Sequence, residues 1–178
     1  SKRFEKLNLN VKKININLDG YILICGQKPY DSQIQNIDYN KWLNNLFENL
    51  KKYTNRKIIF RFHPLYNLSD NLIHIPKYIE IDKNKNLNES IIKSYCLISY
   101  NSNSLIESLI EGIPIICLDK MSVVYDLGEN KIENINNISI PKHDDILQRF
   151  YDLSYRQWTY QELKNGNMIN YIEKNINF

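Results

Sequence analysis

Short apolar stretches alternate with amphipathic ones along the chain. Strands are predicted over Tyr21–Cys25 and over 57–62, 76–81, 95–98 and 115–118. Between them, apolar residues recur at helical spacing. Trp42, Leu43, Leu46, Phe47 and Leu50 mark a helix capped by Asp38 and running to Tyr53; Asn55 breaks it. A short helix is expected over 88–94. Leu105, Ile106, Leu109 and Ile110 mark another, stopped by Gly112 ahead of Pro114. Asn101, Ser102 and Ser104 are candidate caps for it. Residues 122–137 read as a surface loop and 138–141 as a short extended piece. A helix follows over 143–153, and Thr159 with Glu162 forms a capping-box pattern opening a final helix.

Strands alternating with helices imply a parallel sheet covered on both faces, joined by right-handed crossovers. The fold class is therefore α/β, a Rossmann-like, doubly wound parallel sheet. Residues 1–19 are polar and basic with weak alternation, and read as a linker or the remnant of a preceding domain. Residues 20–178 form the expected Rossmann-like domain with C-terminal helices. A start at Ser1 without Met fits a processed or excised piece of a longer chain.

Composition narrows the function classes. A net charge of +3 suits an anionic small ligand, and the lysines form no basic run interleaved with aromatics, so nucleic acid is not an expected partner. Cys25, Cys96 and Cys117 match no zinc spacing and fall in apolar runs as buried thiols. No stretch has the length of a membrane span, and the expected location is the cytoplasm. Alanine is absent while Asn, Ile, Lys and Tyr abound, the codon bias of an AT-rich virus, phage or bacterium. Neither a G-x-G-x-x-G nor a Walker A sequence occurs, so NAD and P-loop readings lack their signature.

In a parallel sheet the loops after the strands gather at one edge, where open α/β sheets bind ligands. The loops at 26–32, 63–67 and 99–104 and the segment after Asp119 hold the polar residues that need explaining. Gln27 can bond substrate hydroxyls or tie down its loop. Asp31 can act as a nucleophile or general base beside a sugar, or cap a turn. Arg61 can meet an anion or a buried acid. His63, aimed by Pro64, can donate to a phosphate or simply end a strand. The small polar cluster Ser99, Asn101, Ser102, Asn103 and Ser104 leads into a helix start that suits a phosphate. Glu107, one turn on, can accept ribose hydroxyls or face solvent. His74 and the His143-Asp144-Asp145 run have no recognised metal-ligand spacing, and no metal is expected.

Gly26-Gln27-x-x-x-Asp31, Arg61-Phe62-His63-Pro64, and Ser99 to Glu107 with Glu111-Gly112-Ile113-Pro114 together resemble the capsule-type, retaining β-Kdo glycosyltransferases and their phage and viral relatives. The run Tyr155-Arg-Gln-Trp-Thr159, with Glu162 and Gly166, is similar to a tail in phage-encoded members. The resemblance covers about 21–171 and implies the C-terminal, nucleotide-binding half of a GT-B enzyme, in which two Rossmann-like domains flank the active site. It implies a glycosyltransferase of polysaccharide biosynthesis with CMP-Kdo or a related CMP-sugar as donor substrate, a glycan acceptor and no further cofactor. It makes Asp31 the catalytic nucleophile, puts His63, Ser102 and Ser104 on the phosphate and Glu107 on the ribose, with Gly26, Gln27, Arg61, Pro64, Ser99, Asn101 and Asn103 around them. Ser108 departs from the family's smaller residue, and an acceptor-binding domain is missing or reduced to 1–19. The competing expectations are a UDP-sugar transferase, a GT-B-type sugar epimerase, and a non-catalytic nucleotide- or sugar-binding module.

Overall fold

A computed structural model describes residues 2–28, 30–67 and 73–175. Ser1 of the expected leading segment and Pro29 of the first loop lie outside the described residues, as do 68–72 and 176–178. The chain forms two compact units, Ser1–Leu9 with Asp144–Phe178, and Asn10–His143.

The larger unit is a five-stranded, all-parallel sheet flanked by helices, the Rossmann-like class that the alternation predicts. Its strands are β1 (Tyr21–Cys25), β2 (Ile58–Arg61), β3 (Glu80–Ile81), β4 (Ser94–Ser99) and β5 (Ile115–Cys117), in the order β3-β2-β1-β4-β5. β1 is central: Ile22, Leu23 and Ile24 pair with Ile58, Ile59 and Phe60 on one side and with Cys96, Leu97 and Ile98 on the other. Strands covered on both faces read as unbroken apolar runs, and every residue of β4 is buried.

Among the helices of this unit, α2 (Tyr39–Tyr53) is the longest; α1 (Lys2–Glu5) belongs to the smaller unit. Asp38 caps α2 by accepting the Lys41 N–H, and Leu43, Leu46, Phe47 and Leu50 form its buried face. Phe47 meets Phe60 of β2 edge to face at 5.9 Å between ring centroids. Each of these large side chains contributes about 1.5–3 kcal/mol by leaving water. α3 (Leu87–Ile91) leads into β4, and α4 (Ser104–Ile110) connects β4 to β5. Gly112 ends α4 at φ 74°, a conformation that disfavours side chains, and a Cβ there would stand 2.5 Å from the Lys13 carbonyl oxygen. The segment before β1 runs past this end, where Lys12 and Asn15 donate their N–H groups to the carbonyls of Ile110 and Gly112.

Three expectations need correction. The strand expected over 76–81 shrinks to Glu80–Ile81, because 76–79 closes a turn in which the Ile79 N–H reaches the Pro76 carbonyl. Residues 122–137 are not a surface loop: Val124, Leu127, Ile132 and Ile135 are buried, and Glu129 bridges to Ile116 beside β5. Irregularly spaced apolar residues on short helical turns carry no period to detect. The final helix is two, α6 (Tyr160–Lys164) and α7 (Asn167–Asn175), parted at Gly166 with φ 73°.

The smaller unit also holds α1 (Lys2–Glu5) and α5 (His143–Ser154), the latter starting in the larger unit. Arg3 donates to the carbonyls of Ser154 and Gln157 and to both carboxylate oxygens of Glu162, and stands 4.0 Å over the Trp158 ring. Thr159 and Glu162 complete the expected capping box. The Arg3 bond, helped by the Thr159 N–H, holds the Glu162 carboxyl at about 2. Among the described residues no helix is long and apolar enough to cross a membrane.

Candidate functional site

β1 runs on to β2 on one side while β4 runs on to β5 on the other, so the loops after β1 and β4 mark the switch point at the carboxyl edge where open α/β sheets form their ligand crevice. Gly26 opens the first loop. Its N–H donates to the Arg61 carbonyl, and a Cβ would stand 2.6 Å from the Phe60 ring, so no larger residue fits without moving that ring.

Gln27, buried, spans the crevice. Its amide nitrogen donates to the Asn101 carbonyl at 3.1 Å, and its amide oxygen accepts the Asn101 N–H at 3.1 Å. The same nitrogen donates to Gln33, and the Gln27 backbone N–H donates to the Tyr39 hydroxyl. Of the two expected uses, the structure shows the loop tie. Ser99 plays a parallel part, its buried hydroxyl donating to the Cys25 carbonyl at 2.8 Å. The Asn101 side-chain amide donates to Asp119 at 2.8 Å, which joins the loop after β4 to the end of β5.

Asp31 caps a short 3-10 turn, Ser32–Ile34; its Oδ1 accepts the Gln33 N–H and the Ser32 hydroxyl. His63 ends β2's extension half-buried, and exposed Pro64 follows it in a turn. The Leu65 N–H donates to His63 Nδ1 at 3.1 Å. A neutral ring that accepts at Nδ1 carries its proton on Nε2, so Nε2 is a donor. Arg61 turns toward β3: it donates to Asp82 at 2.6 Å and to the carbonyls of Asn84 and Lys85. Its guanidinium is thus engaged with a buried acid, the second of its expected uses.

At the start of α4 the Ser102 hydroxyl accepts the Ser104 N–H, while Asn103, at the N-cap position, makes no side-chain cap bond. Ser104 is 5% exposed, and among the described residues its hydroxyl has no hydrogen-bond partner. Cys25 lies near enough for that hydroxyl to favour its thiolate, but burial dominates and pushes the thiol up to about 12. A thiol is a weak donor and leaves Ser104 unsatisfied. Glu107 sits exposed on α4; partial desolvation raises its pKa, and Arg61 opposes the rise.

The candidate residues thus share one edge, and the hydrogen bonds join Gln27, Asn101 and Asp119 across it. Among the described residues Asp31 and His63 bond only locally, and Arg61 bonds to the segment after β3. Tyr39 and Gln33, which hold Gln27, escape sequence reasoning: Tyr39 reads only as the first residue of a helix. Asp82 was discoverable, since an arginine between Phe60 and Phe62 calls for a buried acid. Cys96 and Cys117 are buried with Cys25, as expected. Among the described residues no group of three His, Cys, Asp or Glu could hold a metal ion.

No protein-family model matches the sequence, and no curated protein matches it. Among solved structures, the chain is similar to KpsC from Thermosulfurimonas dismutans, a beta Kdo 2,4 transferase, with a TM-score of 0.50 and 11% identity. The match covers 66% of this chain and 44% of that one, so the chain spans less than half of that protein. At this identity the likeness is one of fold alone, a parallel α/β sheet flanked by helices.

Proposed function

We propose that this chain is the nucleotide-sugar-binding half of a glycosyltransferase, with a CMP-sugar, Kdo or a related acid, as donor and a glycan as acceptor. The observation that carries the reading is placement. In a fold shared with a Kdo transferase, the Gly26-Gln27, Asp31, His63-Pro64 and Ser99 to Glu107 motifs all fall on one edge of the sheet. The fold match supports a transferase; the choice of CMP rests on the sequence resemblance.

The crevice suits such a donor. Nε2 of His63 would donate to the phosphate, as would the hydroxyls of Ser102 and Ser104, and the raised affinity of Glu107 for a proton fits a carboxylate that accepts ribose hydroxyls once covered. Oδ1 of Asp31 is tied to its turn, which leaves Oδ2 to attack the anomeric carbon. In that step a bond forms from Asp31 to the sugar, the sugar–phosphate bond breaks, and CMP leaves with the electron pair. An acceptor hydroxyl then displaces the carboxylate and gives its proton to solvent water, with net retention.

CMP is expected to raise the melting temperature more than UMP, GMP or AMP, by mass action on the folded state. Equal or absent shifts for all four would remove the donor assignment and favour a binding module. A larger UMP shift would point to a UDP-sugar enzyme or an epimerase. His63→Ala should weaken CMP binding by about 1–3 kcal/mol, the worth of a hydrogen bond to a charged group. Calorimetric titration checks it: unchanged affinity with lowered stability would leave His63 as a strand end.

A further inference from the structure

Beside the crevice lies a hollow of about 470 Å³, lined by Tyr30, Ile34, Ile37, Asp38, Tyr39 and Asn40 among others. It shares structure with the candidate site at two points. Asp31 caps the turn that ends in Ile34, and the hydroxyl of Tyr39 holds the backbone of Gln27. Tyr30 is 83% exposed at its mouth and takes φ 67°, which residues other than glycine rarely adopt. Core packing does not account for a ring held in water on that backbone. Ile34 and Tyr39 give the hollow a buried apolar floor, and Asn40 and Asp38 give its rim hydrogen-bonding groups.

We propose that this hollow binds an uncharged saccharide, the acceptor of the transfer, with the Tyr30 ring stacked on the apolar face of a pyranose. A pyranose presents a face of C–H groups and a rim of hydroxyls, which matches an exposed ring beside amide and carboxylate groups. The volume lies in the range of small-molecule sites. Among the described residues Asp38 is the one charged residue lining it, so an acidic sugar meets like charge here. The hollow therefore selects against the acidic donor and for a neutral acceptor. The acceptor role rests on the transferase reading; saccharide binding does not.

The test is saturation-transfer NMR on the whole chain with lactose, N-acetyllactosamine and chitobiose, and with glucuronic acid as the acidic counterpart. At least one neutral sugar should bind, and better than glucuronic acid. Tyr30→Phe should keep that binding, since stacking needs the ring. Tyr30→Gly, which also relieves the backbone, should fold normally and weaken binding at least about tenfold. Asp38→Asn should keep the α2 cap, because asparagine caps as well as aspartate, while strengthening glucuronic acid binding. No saturation transfer to any neutral sugar at tens of millimolar overturns the proposal. So does wild-type binding by Tyr30→Gly, or a preference of the unaltered protein for glucuronic acid. The CMP melting shift, measured on the same sample, decides the transferase reading separately: sugar binding without a CMP shift keeps the hollow and removes the acceptor role.

Discussion

Asp31→Asn is expected to abolish sugar transfer, lowering the rate by at least about 10⁴-fold, the order of loss when a covalent nucleophile goes. Nucleotide affinity should stay near the wild-type value, because in the proposed reaction the carboxylate would face the anomeric carbon and not the phosphate. Asparagine is the informative replacement. Asp31 caps the Ser32–Ile34 turn through Oδ1, and asparagine supplies the same acceptor, so the turn survives while the nucleophile is lost. Asp31→Ala removes both and should cost a further ~1 kcal/mol of stability. The first half of the reaction needs donor alone. Intact-mass spectrometry of the protein incubated with CMP-Kdo should show a sugar adduct on the peptide that contains Asp31, absent in Asp31→Asn. Transfer by Asp31→Asn at near wild-type rate would end the nucleophile proposal and leave Asp31 as a turn cap.

Asp82→Ala should destabilise the larger unit by about 3–5 kcal/mol, the usual consequence of removing one member of a buried ion pair. The Asp82 side chain is 2% exposed and that of Arg61 16%. Oδ2 of Asp82 accepts from Arg61 and from the Ser90 hydroxyl, each at 2.6 Å, and Oδ1 accepts the Asn84 N–H at 3.0 Å. Without the carboxylate, the guanidinium keeps the carbonyls of Asn84 and Lys85 but loses its ion-pair partner. The midpoint of urea unfolding should fall while the slope stays constant. The pair should also have an acid signature. Burial alone would raise the Asp82 pKa, but the bonds from Ser90, Arg61 and Asn84 outweigh it and the net value is lowered. A carboxyl lowered by folding contributes fully above its unfolded pKa, near 3.9, and loses that contribution as pH falls through the folded value. The gap between wild type and Asp82→Ala should therefore be flat around neutrality and shrink below about pH 4. A gap under about 1 kcal/mol, or one equally wide in strong acid, would show that Arg61 finds compensation elsewhere.

Much of this framework was legible in the order of residues, for definite reasons. The buried strands announce themselves because a parallel sheet covered on both faces favours apolar side chains, as in the run 95–98 of β4. α2 was readable to within a residue because Asp38 caps it and four apolar side chains repeat along one face. The segment after β5 was not: Val124, Leu127, Ile132 and Ile135 enter the core from single helical turns, which have no period. At the site, the residue types and their order were visible, but their partners were not. Gln27 is indistinguishable in sequence from a substrate contact. Its double bond to the backbone of Asn101 joins positions 74 apart, and that pairing exists only once β1 and β4 lie side by side. The turn of Arg61 toward Asp82 is likewise a product of β3 lying on the outer side of β2.

The five donor hydrogens of Arg3 have a consequence in time. Their partners, Ser154, Gln157 and Glu162, lie 151 to 159 positions downstream, so this guanidinium stays without them until the segment that carries them has left the ribosome. The sheet, by contrast, is assembled from one continuous stretch, and domains generally fold as units while synthesis proceeds. Translation thus imposes an order in which β1 to β5 can close around their core while α1, with Phe4 still exposed, waits for the α5 residues Phe150 and Tyr151 that cover it.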